Sequence, residues 1–183
     1  MRIKVSRCGL TEYAGMIKRL WLSVICLSLS TAQTPAYARE VVGWLESATI
    51  NSAGFKVVAK LDTGAKTTSL GYSTIHFFQR DGRQWVRVSV TDKKQKTVVL
   101  EKKVIRTVVI KQHGGKAPQQ RPVIMLGICL HTLYKEVEVD LMDRAGFNYT
   151  LLLGRNYLAP DFAVNPASKF TQKPNCKISQ TIH

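Results

Sequence analysis

The sequence predicts an all-β domain, and three observations carry that prediction. Apolar and polar residues alternate through Trp85 to Val90 and again through Lys135 to Leu141, the period of a half-buried strand. Asp81-Gly82 lies between two β-type runs, a composition that closes hairpins. Beyond residue 38 no segment carries the period of a long amphipathic helix. Many short strands with regular turn signals imply a barrel or a sandwich. At 183 residues the chain is long enough for one sizeable core and short for two.

Taken in order, Val41 to Leu45 is a short apolar piece. Phe55 to Leu61 is a strand entered from the turn composition Asn51-Ser52-Ala53-Gly54. Thr74 to Phe78 and Gln84 to Val90 flank Arg80-Asp81-Gly82-Arg83 as a hairpin. Thr97 to Leu100 and Val104 to Ile110 are further β-branched runs, and His113 to Gln120 is a loop by composition. Pro122 to Leu130, Leu133 to Leu141 and Phe147 to Leu153 complete the strands. Arg155 to Leu158 forms one helical turn. The tail from Pro160, with Pro166 and Pro174, reads as irregular.

The first 38 residues form a separate unit. Lys18-Arg19 is basic, Leu20 to Leu29 is apolar but short for a membrane span, and the segment ends in Ala36-Tyr37-Ala38. Basic start, apolar middle and small-residue exit make a secretory signal, with Met16 as its expected first residue. Cys26 follows Ile25 rather than a small residue, which argues against a lipid anchor. The expected domain then spans 39–170, followed by a tail over 171–183. Cleavage after Ala38 leaves 145 residues, and removing five basic and one acidic residue from the chain's 27 and 12 leaves a formal charge of +11. The basicity therefore belongs to the mature domain. It favours an anionic partner, or else is spread over solvated faces for solubility, and in an exported protein an anionic envelope surface or an acidic peptide fits better than nucleic acid.

Two cysteines remain after cleavage, Cys129 and Cys176. An oxidising compartment permits a disulfide between them, and a buried free Cys129 is the other reading. The histidines His76, His113, His131 and His183 show no metal-ligand spacing. Cys129 and His131 share a strand face, but two ligands do not close a zinc site. No nucleophile elbow or phosphate loop is present, so no metal and no cofactor is expected.

The stretch Asp62-Thr63-Gly64 follows the apolar strand containing Val57 and Val58 and precedes the small residue Ala65. Asp and Gly suit an ordinary turn, so the tripeptide alone leaves that reading open. Much later Leu151-Leu152-Leu153-Gly154 is a second apolar run ending in Gly. Asp-Thr-Gly-Ala on a loop, with an apolar strand and Gly beneath it, is the pattern of one half of a retroviral-type aspartic protease. Further motifs follow in order: Lys66-Thr67-Thr68-Ser69-Leu70, Val104-Ile105-Arg106, Arg121-Pro122-Val123, Asp143-Arg144 and Leu152-Leu153-Gly154-Arg155. Through them the chain resembles, over roughly Val42 to Phe170, a bacterial family of retropepsin-like aspartic proteases that has also been labelled an ATP-dependent zinc protease family. The zinc and ATP parts of that label have no counterpart in the motifs. Asn165-Pro166 departs from the Asp-Pro expected of the family.

The resemblance implies a single all-β, retropepsin-like closed barrel half with a short helical turn near its C-terminus. It implies an aspartic endopeptidase with Asp62 as catalytic carboxylate and Thr63, Gly64, Ala65, Gly154 and Arg155 supporting the catalytic loop. Aspartic catalysis uses two carboxylates sharing a proton. One Asp-Thr-Gly in one chain therefore implies a homodimer. The Thr63 hydroxyl would bond across to the partner loop, and Arg155 would brace the loop or the dimer contact. Arg106 and Arg144 are candidates for recognising substrate carboxylates, or else surface ion pairs. The hairpin at Arg80 to Arg83 and the loop around Gly114-Gly115 are candidates for covering a cleft, or else ordinary surface hairpins. The expected function is an exported, periplasmic peptidase acting on acidic or envelope-associated peptides. The alternative is a non-catalytic envelope-binding module on the same fold.

Overall fold

The computed structural model describes residues 38–50, 54–92, 94–110, 117–143 and 148–176. The signal segment with Met16 and Cys26, the loop around Gly114-Gly115 with His113, Arg144 and the last residues with His183 lie outside the described residues. Arg39–His183 forms one compact unit.

Eleven strands and one helical turn make up the described residues. They are β1 (Glu40–Ile50), β2 (Phe55–Leu61), β3 (Thr68–Tyr72), β4 (Thr74–Arg80), β5 (Arg83–Thr91), β6 (Thr97–Lys103), β7 (Arg106–Ile110), β8 (Gln119–Leu130), β9 (Leu133–Asp143), β10 (Leu151–Leu153), α1 (Arg155–Leu158) and β11 (Phe162–Lys169). The larger sheet runs β11-β1-β2-β10-β3-β9-β8-β7, and β1 also pairs with β8. That extra pairing, Ala48 to Ile50 against Leu130 to Ile128, closes six strands into a ring and leaves β11 and β7 outside it. Closure removes sheet edges, which otherwise expose unpaired backbone groups. The ring encloses Ile50, Ala59, Leu70, Leu126, Leu141 and Leu151, each at most 1% exposed. Side chains of this kind each contribute roughly 1.5–3 kcal/mol on burial. Strands β4, β5 and β6 form a separate antiparallel sheet, whose Val86, Val88, Val90 and Leu100 join the same core.

The β4–β5 turn matches its sequence signal. Asp81 and Gly82 both take positive φ, 53° and 67°, between the paired Arg80 and Arg83. An Asp-Gly turn of this hand follows the twist of the flanking strands.

The apolar piece at Val41 to Leu45 is the first half of an 11-residue strand. Thr68–Tyr72, to which the sequence reading assigned no element, is a strand that starts a few residues after Asp62-Thr63-Gly64. One sequence expectation needs correction. The tail from Pro160 is not irregular: β11 lies parallel to β1. Pro166 is tolerated because β11 is an edge strand, with a ladder on one side only. Gly43 allows the close approach at the bulge in this pairing, since a Cβ there would lie 2.7 Å from the Lys169 Cα.

The end of β11 is fastened from inside. Glu46 is fully buried, and its carboxylate accepts from the Gly43 N–H (2.8 Å), the Thr171 N–H (3.0 Å) and the Thr171 hydroxyl (2.6 Å). The buried His131 places Nδ1 2.6 Å from Glu40 Oε1 and Nε2 3.2 Å from the Thr171 hydroxyl. Burial pushes the Glu46 carboxyl up, but the Thr171 hydroxyl and N–H, the Gly43 N–H and His131 outweigh it, and the group is held below its ordinary value. Beside this cluster Cys129 and Cys176 are joined as a disulfide, with Cα atoms 6.0 Å apart. The Asn175 N–H donates to the His131 carbonyl.

Candidate active site

Asp62 is the first residue past β2, and Gly154 is the first past β10. These strands lie parallel and in register, Leu61 beside Leu153, so the two motifs separated by some ninety residues leave the sheet together. The Asp62 N–H donates to the Leu153 carbonyl at 2.9 Å and ties the loop to the strand beneath it. β10 is flanked on its other side by β3, which continues from the same loop.

The loop folds around the Asp62 carboxylate. Oδ1 accepts from the Gly64 N–H (3.0 Å) and the Ala65 N–H (3.2 Å). Oδ2 has Lys60 Nζ at 3.9 Å, and the side chain keeps 30% of its surface exposed. One oxygen is thus fixed by the backbone, and the other lies within ion-pair distance of a cation. Gly64 does not adopt positive φ, so its value is clearance: a Cβ there would stand 3.2 Å from Asp62 Oδ1. The loop does turn tightly here, with the Ala65 N–H donating to the Asp62 carbonyl at 3.2 Å, but without positive φ at Gly64.

The supporting residues converge from the other motif. Arg155 Nη1 donates to the carbonyls of Thr63 (2.9 Å) and Gly64 (2.8 Å), and its N–H donates to the Ala65 carbonyl (2.9 Å). A guanidinium is well suited to holding two carbonyls at once because its donors are fixed in one plane. Gly154 passes so close to the loop that a Cβ would lie 2.6 Å from the Thr67 carbonyl carbon. Asp62, Thr63, Gly64, Ala65, Gly154 and Arg155 are therefore brought into one constellation.

Several residues of the site escaped the sequence reading. Asn156 Oδ1 accepts from the Thr68 N–H (2.8 Å) and hydroxyl (2.7 Å), and its Nδ2 donates to the Glu138 carbonyl (2.8 Å). The Thr68 hydroxyl in turn accepts from the Gly154 N–H at 3.2 Å. The Thr67 hydroxyl donates to Asp140 Oδ2 (3.3 Å), and Arg121 Nη1 donates to Asp140 Oδ1 (3.0 Å). Position within the motifs was the available signal: Thr67 and Thr68 follow Ala65, and Asn156 follows Arg155.

A groove of about 350 Å³ opens beside the loop, lined by Lys66, Thr67, Arg106, Val108, Val123 and Glu138 among others. Arg106 stands on its β7 wall, where Nε and Nη2 both donate to Glu138 Oε2. Those bonds hold the Glu138 carboxyl below its ordinary range. In the free chain Arg106 thus occupies a surface ion pair, with an exposed carboxylate as its present partner. Among the described residues no group of three or more His, Cys, Asp or Glu is placed to hold a metal ion.

Known proteins resemble the chain. A crystal structure of a Legionella pneumophila protein of unknown function (DUF785) is 34% identical, with a TM-score of 0.64, and 74% of this chain covers all of that one. A protein of Desulfotalea psychrophila named "Probable alpha-L-glutamate ligase" is 31% identical over 134 residues, 71% of this chain and 29% of that protein. A Shewanella pealeana protein of the same name is 32% identical over 117 residues, 62% of this chain and 25% of that protein. The chain therefore spans under a third of the length of these ligase-named relatives. The sequence model of the RimB-like family, described as retropepsin-like aspartic endopeptidase RimB, matches residues 41–175. The match takes in both halves of the Asp62 constellation and β11, and the chain belongs to this retropepsin-like RimB family.

Proposed function

We propose that the chain is an aspartic endopeptidase that works as a homodimer, each copy contributing Asp62 to a shared dyad. The observation that carries this reading is the state of the Asp62 carboxylate. Its Oδ1 is held by two backbone N–H groups, while Oδ2 lies 3.9 Å from Lys60 Nζ and the side chain stays 30% exposed. Two carboxylates brought together share one proton, because both cannot stay ionised at close range. The ionised member takes a proton from a water as that water attacks the peptide carbonyl. The protonated member supports the carbonyl oxygen, and a proton passes to the leaving amine as the C–N bond breaks. The dyad titrates as a pair. Arg155, Gly154 and Asn156 fix the loop so that the carboxylate is pre-positioned when the partner arrives.

The groove next to the loop supports an acidic peptide as substrate. Lys66 and Arg106 line it, and Arg106 can exchange the solvent-exposed Glu138 for a substrate carboxylate at small cost. The signal-like segment and the +11 charge support action outside the cytoplasm.

The test is Asp62→Asn in pure protein against an acidic peptide library. Activity falls at least about a hundredfold, the scale of losing a catalytic proton donor–acceptor. Retention of wild-type proteolysis in that variant refutes the aspartic reading. If neither protein cleaves while both bind an envelope polymer equally, the binding-module alternative stands instead.

A further inference from the structure

The separate sheet of β4, β5 and β6 contributes no residue to the catalytic loop contacts, and its two faces differ sharply. Direct cross-strand partners share a face. Val86, Val88, Val90 and Leu100 turn inward and are buried. The opposite face carries His76, Phe78, Arg80, Arg83, Trp85, Arg87, Val99, Glu101 and Lys103 within its cross-strand rows, none of them buried. Four fixed cations thus stand against one carboxylate.

The arrangement is layered. Phe78 and Trp85 are cross-strand partners with ring centroids 6.4 Å apart. The Arg80 guanidinium lies 4.6 Å from the Trp85 centroid and 5.2 Å from that of Phe78, and Arg87 lies 5.7 Å from Phe78. Glu101 bridges the two arginines at 2.8 Å and 2.6 Å. Their side chains nonetheless remain 44% and 57% exposed. Val99, 57% exposed, adds an apolar side chain to the same face.

We infer that this outer face is a docking surface for an anionic phospholipid layer. Guanidiniums pair with phosphate oxygens in forked geometry. Tryptophan and phenylalanine suit the level where headgroups meet acyl chains. An open pleated face fits a plane of headgroups. Base stacking from a nucleic acid is disfavoured because the ring faces are already covered by arginine. A solvated acidic peptide would use the cations and leave Phe78, Trp85 and Val99 without a role. The inference does not depend on the peptidase reading.

The segment 39–183 suits the test, because it is a compact unit with its own core and the Legionella chain it resembles is matched over its full length. Within it Trp44 and Trp85 are the tryptophans, so Trp44→Phe makes Trp85 the sole reporter. Vesicles of phosphatidylglycerol mixed with phosphatidylcholine are compared with phosphatidylcholine alone, at low salt. The expected result is partitioning to the anionic vesicles only, with a blue shift of Trp85 emission and its quenching by brominated lipid. The double variant Arg80→Gln with Arg87→Gln lowers partitioning on the order of 30-fold, the scale of two surface charges. The control Lys169→Gln with Lys173→Gln, an equal charge loss on β11 and the tail, lowers it far less. Glu101→Gln moves binding the other way and raises it about fivefold, so the inference stays testable if the arginine variant folds poorly. Equal losses in the arginine and lysine pairs, or unshifted Trp85 emission, overturn it. So does arginine-dependent binding to polyglutamate without binding to vesicles.

Discussion

Asp62 and Glu46 are both carboxylates that gather backbone N–H donors, yet the molecule treats them in opposite ways. Glu46 has both oxygens engaged, by Gly43, Thr171 and His131, and no exposed surface. Asp62 has one oxygen held by backbone N–H groups, while the other has only a loose ion pair with Lys60 at 3.9 Å in a side chain that stays partly exposed. The first is complete within one chain and does structural work, closing β11 and the tail over β1. The second is held rigidly but left incomplete. A carboxylate that is positioned without being fully satisfied is suited to chemistry, because its remaining oxygen can take a proton, a water or a partner.

The contrast is broken most severely by removing the satisfied acid. Glu46→Ala leaves the Gly43 and Thr171 donors and His131 without their shared acceptor. It is expected to cost about 3–5 kcal/mol in denaturant-induced unfolding, while the folded fraction keeps its turnover. A normal midpoint in that variant would remove Glu46 as the tail's anchor. The same group sets an acid limit. Its folded-state value is depressed, so its contribution is fully present above the ordinary value of 4.5 and fades as pH falls through the depressed one. Stability titrated downward from pH 5 should drop more steeply in the wild type than in Glu46→Gln.

The disulfide is next. Replacing Cys129 and Cys176 together by Ser opens a 47-residue separation and should cost about 2–4 kcal/mol. Melting compared with and without reductant reads the effect. The loss should concentrate in hydrogen-exchange protection of β11 and the residues that follow it, with the Asp62 loop unchanged.

Changes at the incomplete acid should show the reverse pattern, a modest loss of stability with a larger loss of turnover. Asn156→Ala removes hydrogen bonds to Thr68 and the Glu138 carbonyl, and about 1–3 kcal/mol is expected. Gly64→Ala is smallest in stability, about 1 kcal/mol or less, because its only close neighbour is the Asp62 carboxylate. Turnover should nevertheless fall more than tenfold, since displacing a catalytic group by even a fraction of an ångström is costly. Unchanged kcat in Gly64→Ala would show that the carboxylate is not fixed as described.

The parts of this picture visible in the sequence were local or periodic. Asp81-Gly82 announced its hairpin because positive φ at both positions needs such residues. Asp62-Thr63-Gly64-Ala65 and Leu153-Gly154-Arg155 announced the loop because their spacing and order were specific. Strand β3 was hidden because Thr68–Tyr72 is short and follows a turn motif directly. Strand β11 was hidden because most of its residues are partly or fully exposed and it contains Pro166, which a sheet accepts chiefly at an edge or a bulge. The Glu46 cluster was the least legible, since its members meet across 125 residues of sequence and share no pattern.

In the proposed mechanism Asp62 is half of a site, and a second chain brings the other half. The direct measurement is proteolysis in mixtures of wild-type and Asp62→Asn subunits after exchange. Random pairing at equal amounts predicts that activity per wild-type subunit falls by about half, because mixed dimers hold one carboxylate. Activity that stays proportional to wild-type subunits at every ratio would mean that each chain works alone, and would contradict the shared dyad.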